Sequence, residues 1–203
     1  MKVTALGNTL TGFGQALATT LGVDTTSSSP NCAEMMVVFA RGTSEPGNVG
    51  LFSGPTFFDA LEVMMGAGAV SVQGVEYGAS IEGFLQGGDP AGSAAMAGIV
   101  EGTVQNCPNA KIVMSGYSQG GQLVHNAAAM LPAATMAKIS SLVIFGDPND
   151  GKPIANADPS KVMVVCHPGH NICDGRDLVL VEHLTYSRDA VEAATFAAAR
   201  AKA

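Results

Sequence analysis

Lys111-Ile-Val-Met-Ser-Gly-Tyr-Ser-Gln-Gly-Gly121 decides the fold. An apolar run, Ile112 to Met114, leads into Gly116-Tyr117-Ser118-Gln119-Gly120, and Gln122 to Met130 is then a good helix former. Strand, sharp turn and helix, with a serine at the apex, fit the G-x-S-x-G nucleophile elbow. The glycines have a physical task. The turn brings strand and helix backbones together, and side chains at 116 and 120 would clash. The helix N-terminus aims its free amides at Ser118, where an oxyanion would form.

Working outward, short apolar runs alternate with helical stretches. Strands are expected at 35–40, 70–77, 112–115, 142–145 and 162–166, and helices at 57–65, 91–105, 122–131 and 190–203. Residues 83–92 read as a glycine-rich loop with apolar points Phe84 and Leu85. Uniformly apolar short strands belong in a parallel sheet covered on both faces by helices. In such a sheet the site lies at the carboxyl ends of the strands. The loops that start at Arg41, Tyr117, Gly146 and Cys166 all follow strand ends and should converge. Residues 1–24 read as a short amphipathic or loosely packed helix and 25–30 as a linker, so residues 1–30 are taken as a segment packed on or preceding a single domain of 31–203.

Composition narrows the function. The chain has 203 residues, 47% hydrophobic and only 13% charged, which suits one domain with a substantial core. A net charge of −7 argues against a nucleic-acid partner, because no basic patch is there to neutralise phosphates. No apolar run reaches the length of a transmembrane segment. The N-terminus lacks the apolar core of a signal peptide. Four cysteines nevertheless suit an oxidising compartment, so the expectation is a secreted protein whose signal has been removed. No assembly surface is evident, and a monomer is expected.

A nucleophilic serine needs a base, and the base needs an orienting acid. The histidines are 125, 167, 170 and 183. His125 lies two turns along the helix after the elbow and should face away from Ser118. His183 precedes the last helix and fits the order serine, acid, histidine, with Asp174 and Asp177 ahead of it.

With these residues assembled, the chain resembles the fungal cutinase family, which also holds acetylxylan esterases. The resemblance rests on Phe39-Ala40-Arg41-Gly42-Thr43-Ser44-Glu45, the elbow, Phe145-Gly146-Asp147-Pro148, the Cys166/Cys173 loop and the His183 segment, across about residues 31 to 200. It implies a small, lidless α/β-hydrolase: a three-layer α/β/α sandwich around a mostly parallel five-stranded sheet, with the serine open to solvent. Ser118 would be the nucleophile and His183 the base, with Thr43 and Gln119 lining the oxyanion hole. It also implies disulfides Cys32–Cys107 and Cys166–Cys173. Arg41 and Glu45 are read as an ion pair holding their loop. No cofactor or metal is implied. A rival reading gathers Cys166, His167, His170 and Cys173 around zinc, although their spacing is not a common zinc pattern.

One position departs from the family. Its acid is an Asp three residues before the second cysteine of the late loop, and here that residue is His170. An imidazole cannot stabilise an imidazolium as a carboxylate does. Asp174 is taken as the substitute, with Asp177 and an impaired site as alternatives. Ile81, Phe84, Leu85, Leu180, Val181 and Leu184 are read as an apolar substrate rim, although core packing accounts equally well for the stretch from Leu178 to Val181. With three Tyr and no Trp, the chain suits aliphatic ester or polyester substrates better than a carbohydrate ester. The competing classes are an acetylxylan esterase and an impaired homologue that only binds apolar surfaces.

Overall fold

The computed structural model describes residues 2–29, 31–169, 171–176 and 181–202, with side chains from residue 7 onward and, in the last segment, from residue 183. Five strands form one parallel sheet: β1 (Met35–Ala40), β2 (Val70–Gly74), β3 (Lys111–Tyr117), β4 (Ile139–Phe145) and β5 (Val162–Val165), in the order β2-β1-β3-β4-β5. The helices are α1 (Lys2–Leu21), α2 (Gly54–Met65), α3 (Ile81–Leu85), α4 (Pro90–Asn106), α5 (Gln119–Met130), α6 (Ala133–Met136) and α7 (Ala190–Ala201). This is the expected α/β/α arrangement.

The two-residue period of the strands divides the core. Met36, Val38, Met114 and Ile144 pack with Val100 of α4 and Leu123 and Val124 of α5. Met35, Val37, Val113 and Phe145 pack on the other face with Phe57 and Leu61 of α2 and Ala193, Ala194 and Ala197 of α7. Alanines at those α7 positions let the helix lie close to the sheet. Phe57 meets Phe145 edge-on, with ring centroids 5.4 Å apart.

The structure refines several expected boundaries. β4 begins at Ile139, because Ser140 and Ser141 are buried along with the apolar residues, and the Ser140 hydroxyl donates to the Ile112 carbonyl. α5 starts at Gln119, directly after the serine. The expected loop at 83–92 contains α3, whose N-cap Ser80 accepts a hydrogen bond from the Gly83 amide. A good N-cap lets so short a helix form inside a glycine-rich stretch. Residues 27–29 cover part of the outer edge of β2: Ser29 N–H donates to Val72 O, and Gly74 N–H to Ser27 O.

α1 docks through small residues. Gly14 approaches Pro46 so closely that an added Cβ would lie 3.1 Å from the ring, and Gly7 faces Ser44. Leu10 and Phe13 of the same helix are exposed.

Both disulfides are present. Cys32–Cys107 ties the segment before β1 to the end of α4, and Cys166–Cys173 closes a loop after β5. With sequence separations of 75 in the first and 7 in the second, chain entropy assigns roughly 4 kcal/mol and about 2.5 kcal/mol respectively. Urea unfolding should therefore show a larger fall in stability for Cys32→Ser/Cys107→Ser than for Cys166→Ser/Cys173→Ser. Equal losses would mean that native-state contacts, not loop length, set the effect.

Candidate active site

Ser118 caps α5 with φ 56° and ψ −118°, a conformation that costs a serine about 1–3 kcal/mol. Two hydrogen bonds hold it there. Its N–H donates to Phe145 O at 2.9 Å, and its carbonyl accepts from Gly121 N–H at 2.8 Å. The flanking glycines behave as the motif requires. A Cβ on Gly120 would sit 1.9 Å from the Ala40 carbonyl oxygen, and one on Gly116 would sit 2.3 Å from the Gly120 carbonyl oxygen. The elbow is thus pressed against the end of β1, whose following loop carries Thr43.

That loop is braced from inside by Glu45. Its carboxylate accepts from the amides of Gly42 (2.7 Å), Leu51 (2.8 Å) and Phe52 (2.9 Å). Burial pushes the Glu45 carboxyl above its usual range, and these amides and the charge of Arg41 oppose the rise. Gly50 leaves room for the carboxylate, since a Cβ there would lie 2.3 Å from Oε2. The expected Arg41–Glu45 ion pair is replaced by backbone bonds. Arg41 Nε donates to the carbonyl of Glu45 and Nη2 to the carbonyl of Tyr77, while the Glu45 carboxylate is occupied by amides.

Gln119 joins three segments. Its side-chain Nε2 donates to Thr43 Oγ1 at 2.8 Å and to Ser80 O at 2.9 Å. The Thr43 loop and the cap of α3 therefore meet beside the serine. Ser118 as a whole residue is 5% exposed, its backbone being held inside the elbow.

His183 is 3% exposed and sits in an aromatic slot. The Tyr117 ring stacks on it with centroids 4.9 Å apart, and the Tyr117 hydroxyl donates to the His183 carbonyl at 2.6 Å. Tyr186 meets it edge-on. Gly146, at φ 58°, keeps the slot open: a Cβ there would lie 3.1 Å from Cε1 and 3.2 Å from Nδ1 of the imidazole. Tyr117, the immediate neighbour of Ser118, thus links the elbow to the histidine segment. Burial holds its phenol far above the usual range, so it remains a donor.

The remaining expected residues are spread more widely. Asp174 is exposed just past the disulfide loop, whereas His170, Asp177 and Leu180 and the side chain of Val181 lie outside the described residues. Ile81, Phe84 and Leu85 lie on α3; Leu85 and Leu184 are exposed and Ile81 and Phe84 partly so. The zinc reading loses its thiolates, because Cys166 and Cys173 are joined to each other. His167 pairs instead with Asp189 at 2.8 Å and stacks on Tyr186.

Sequence reasoning missed one pair. The Nε2 of His125 is 2.8 Å from Oδ2 of the fully buried Asp147. Oδ1 of Asp147 accepts from Asn149 N–H, so one carboxylate ties α5 to the turn after β4. The available signal was a carboxylate at a strand end beside the elbow strand, with a histidine on the neighbouring helix.

The cutinase family model matches residues 31–201. The chain belongs to the cutinase family. A cutinase of Botryotinia fuckeliana is 53% identical over 165 residues, covering 81% of this chain and 82% of that protein. A cutinase of Hypocrea jecorina is 48% identical over 202 residues, covering 96% of this chain and 81% of that protein. The solved structure of a Trichoderma reesei cutinase bound to a phosphonate inhibitor superposes with a TM-score of 0.95 at 46% identity, covering 98% of this chain and 90% of that one. An acetylxylan esterase shares the fold, at 19% identity and a TM-score of 0.63 over 84% of this chain and the whole of that one. This cutinase-family chain is a carboxylic ester hydrolase.

Tyr117→Phe should uncouple the histidine segment from the elbow without emptying the slot. The lost hydrogen bond predicts about 1 kcal/mol less stability and a fall in kcat that exceeds any change in KM. Denaturant melts with steady-state kinetics on p-nitrophenyl butyrate test this, and an unchanged kcat would show that the bond does not position the His183 segment for turnover.

Proposed function

We propose that this chain is a secreted serine esterase that hydrolyses aliphatic esters and cutin-like polyesters through an acyl-enzyme. The reading rests above all on the strained Ser118 turn, with its neighbour Gln119 hydrogen-bonded to Thr43. Ser118 Oγ attacks the ester carbonyl, and His183 accepts its proton. The oxygen of the tetrahedral intermediate takes hydrogen bonds from the Gln119 amide and from Thr43. Because Gln119 Nε2 donates to Thr43 Oγ1, that hydroxyl keeps its own proton for another acceptor, which the oxyanion would be. His183 then protonates the leaving alcohol, and water, deprotonated by the same histidine, releases the acid.

Asp174 serves as the acid in this proposal, since His170 occupies the position where the family carries its Asp. Exposed Leu85 and Leu184 and partly exposed Phe84 support an aliphatic rather than a sugar-bearing substrate. The relatives named cutinase point the same way. Secretion is supported by two disulfides, which persist in oxidising compartments. A monomer acting without metal or cofactor completes the proposal.

Labelling with an alkyl phosphonate should modify Ser118 stoichiometrically, and Ser118→Ala should abolish both labelling and turnover of p-nitrophenyl butyrate. A parent that neither labels nor turns over would instead be the impaired, surface-binding homologue. The acid is tested separately. Asp174→Asn should lower kcat by roughly four orders of magnitude, as loss of the acid does in triad enzymes, and His170→Asp should bring no gain. A gain of several orders of magnitude in His170→Asp would show that the chain lacks its native acid and that Asp174 does not replace it. Release of acetate from xylan without cleavage of longer acyl esters would favour the acetylxylan esterase reading.

A further inference from the structure

A cleft of about 630 Å³ opens beside the elbow, between α3, the first turn of α5, the turn after β4 and the Cys166–Cys173 loop. One wall is apolar and amide-rich. Phe84 lies there, and Gln122, one helical turn beyond Gln119, donates from Nε2 to the Phe84 carbonyl. The cleft therefore begins about 5 Å along α5 from the residue next to the nucleophile. The facing wall carries Asn149, Asn171, Lys152 and Arg176.

Two cations in one cleft stand out in a chain with ten Lys and Arg and a net charge of −7. Several of the other cations have partners or pockets elsewhere. Arg41, Lys161 and Arg200 bind backbone carbonyls, and Lys111 and Lys138 line a separate pocket that includes the start of β3. Lys152 is steadied by the cleft itself, because Nζ donates to Asn149 Oδ1 at 2.8 Å, and Asn149 is held in turn by the buried Asp147. Arg176 is exposed, and its amide donates to the Asn171 carbonyl across the disulfide loop. Asp150 and Asp174 belong to the same two loops but do not line the cleft.

We infer that this cleft binds the carboxylate of an acidic ester, one whose acyl or alcohol part ends in a free acid, and so gives the enzyme a preference for polyester ends and half-esters over neutral esters of the same length. The inference rests on the esterase reading above. The field of an acidic protein repels anionic substrates, and a local pair of cations reverses that repulsion where the substrate docks. Amides of Asn149 and Asn171 on the same wall add neutral donors for the carboxylate oxygens.

The test compares kcat/KM for 4-nitrophenyl hydrogen glutarate and 4-nitrophenyl pentanoate, and for 4-carboxyphenyl butyrate and its methyl ester. These pairs place the charge on the acyl and alcohol sides respectively. In one pair, the ratio of anionic to neutral substrate should fall roughly three- to tenfold in Lys152→Gln/Arg176→Gln. The change should lie in KM and weaken in 0.5 M NaCl, as interactions between exposed charges do. Lys152→Arg/Arg176→Lys should retain the wild-type ratio. The pair that responds identifies the side of the substrate that enters the cleft. Ratios unchanged by the Gln variant in both pairs overturn the inference and leave the esterase reading intact. If the parent turns over none of the four esters, the esterase reading fails on its own, and glutarate titrated against the folded parent decides the cleft by NMR. Saturable shifts that the Gln variant lacks sustain anion binding there, and no shifts overturn it.

Discussion

The approach of Gly120 to the Ala40 carbonyl is the contact on which the rest of the site depends. An oxygen 1.9 Å from where a Cβ would stand leaves no choice of residue at that position. It presses the start of α5 onto the end of β1. The same compression forces Ser118 into positive φ and brings Gln119 within reach of both Thr43 and Ser80. Strain at one residue is thus exchanged for the alignment of three loops that have no other reason to meet. The surrounding core can hold this strain because β1, β3 and β4 are apolar and buried on both faces, so the strand ends are rigid platforms.

Two buried side chains carry that alignment outward. Glu45 collects the amides of Gly42, Leu51 and Phe52 and so gives a fixed shape to a loop without secondary structure of its own. A carboxylate serves better here than a neutral side chain, because it offers two acceptor atoms to several donors at once. Tyr117 performs the matching task for the histidine segment. Its ring forms one wall of the His183 slot and its hydroxyl fastens the His183 carbonyl. Since Tyr117 precedes Ser118, the last side chain of β3 before the elbow serine also fastens the His183 segment. Asp147 ties the turn after β4 to α5 through His125, on the other side of the elbow.

The Cys166–Cys173 loop brings several roles together. It spans residue 170, where the family resemblance places the acid, it contributes Asn171 to the cleft, and Asp174 and Arg176 follow directly after it. The short covalent loop limits how far Asn171 can move. The loop starts just beyond the end of β5, whose pairing with β4 ends at Val165.

Local pattern alone determined the sheet and the strand–turn–helix elbow at Ser118. Apolar runs of strand length, a helix former after Gly120 and the glycine pair at 116 and 120 are properties of neighbouring residues, and such signals are legible wherever backbone sterics decide. Matching several motifs in order extended this to the family and both disulfides. Only the tertiary structure revealed what distant residues do for one another. The Arg41–Glu45 ion pair gave way to backbone hydrogen bonds, because a turn leaves its amides and carbonyls unpaired and buried charges satisfy those first. The His125–Asp147 pair and the cleft with Lys152 and Arg176 depend on which faces of α5, the turn after β4 and the disulfide loop come together. No sequence period encodes that meeting, because the loops are positioned by the packing of the core beneath them.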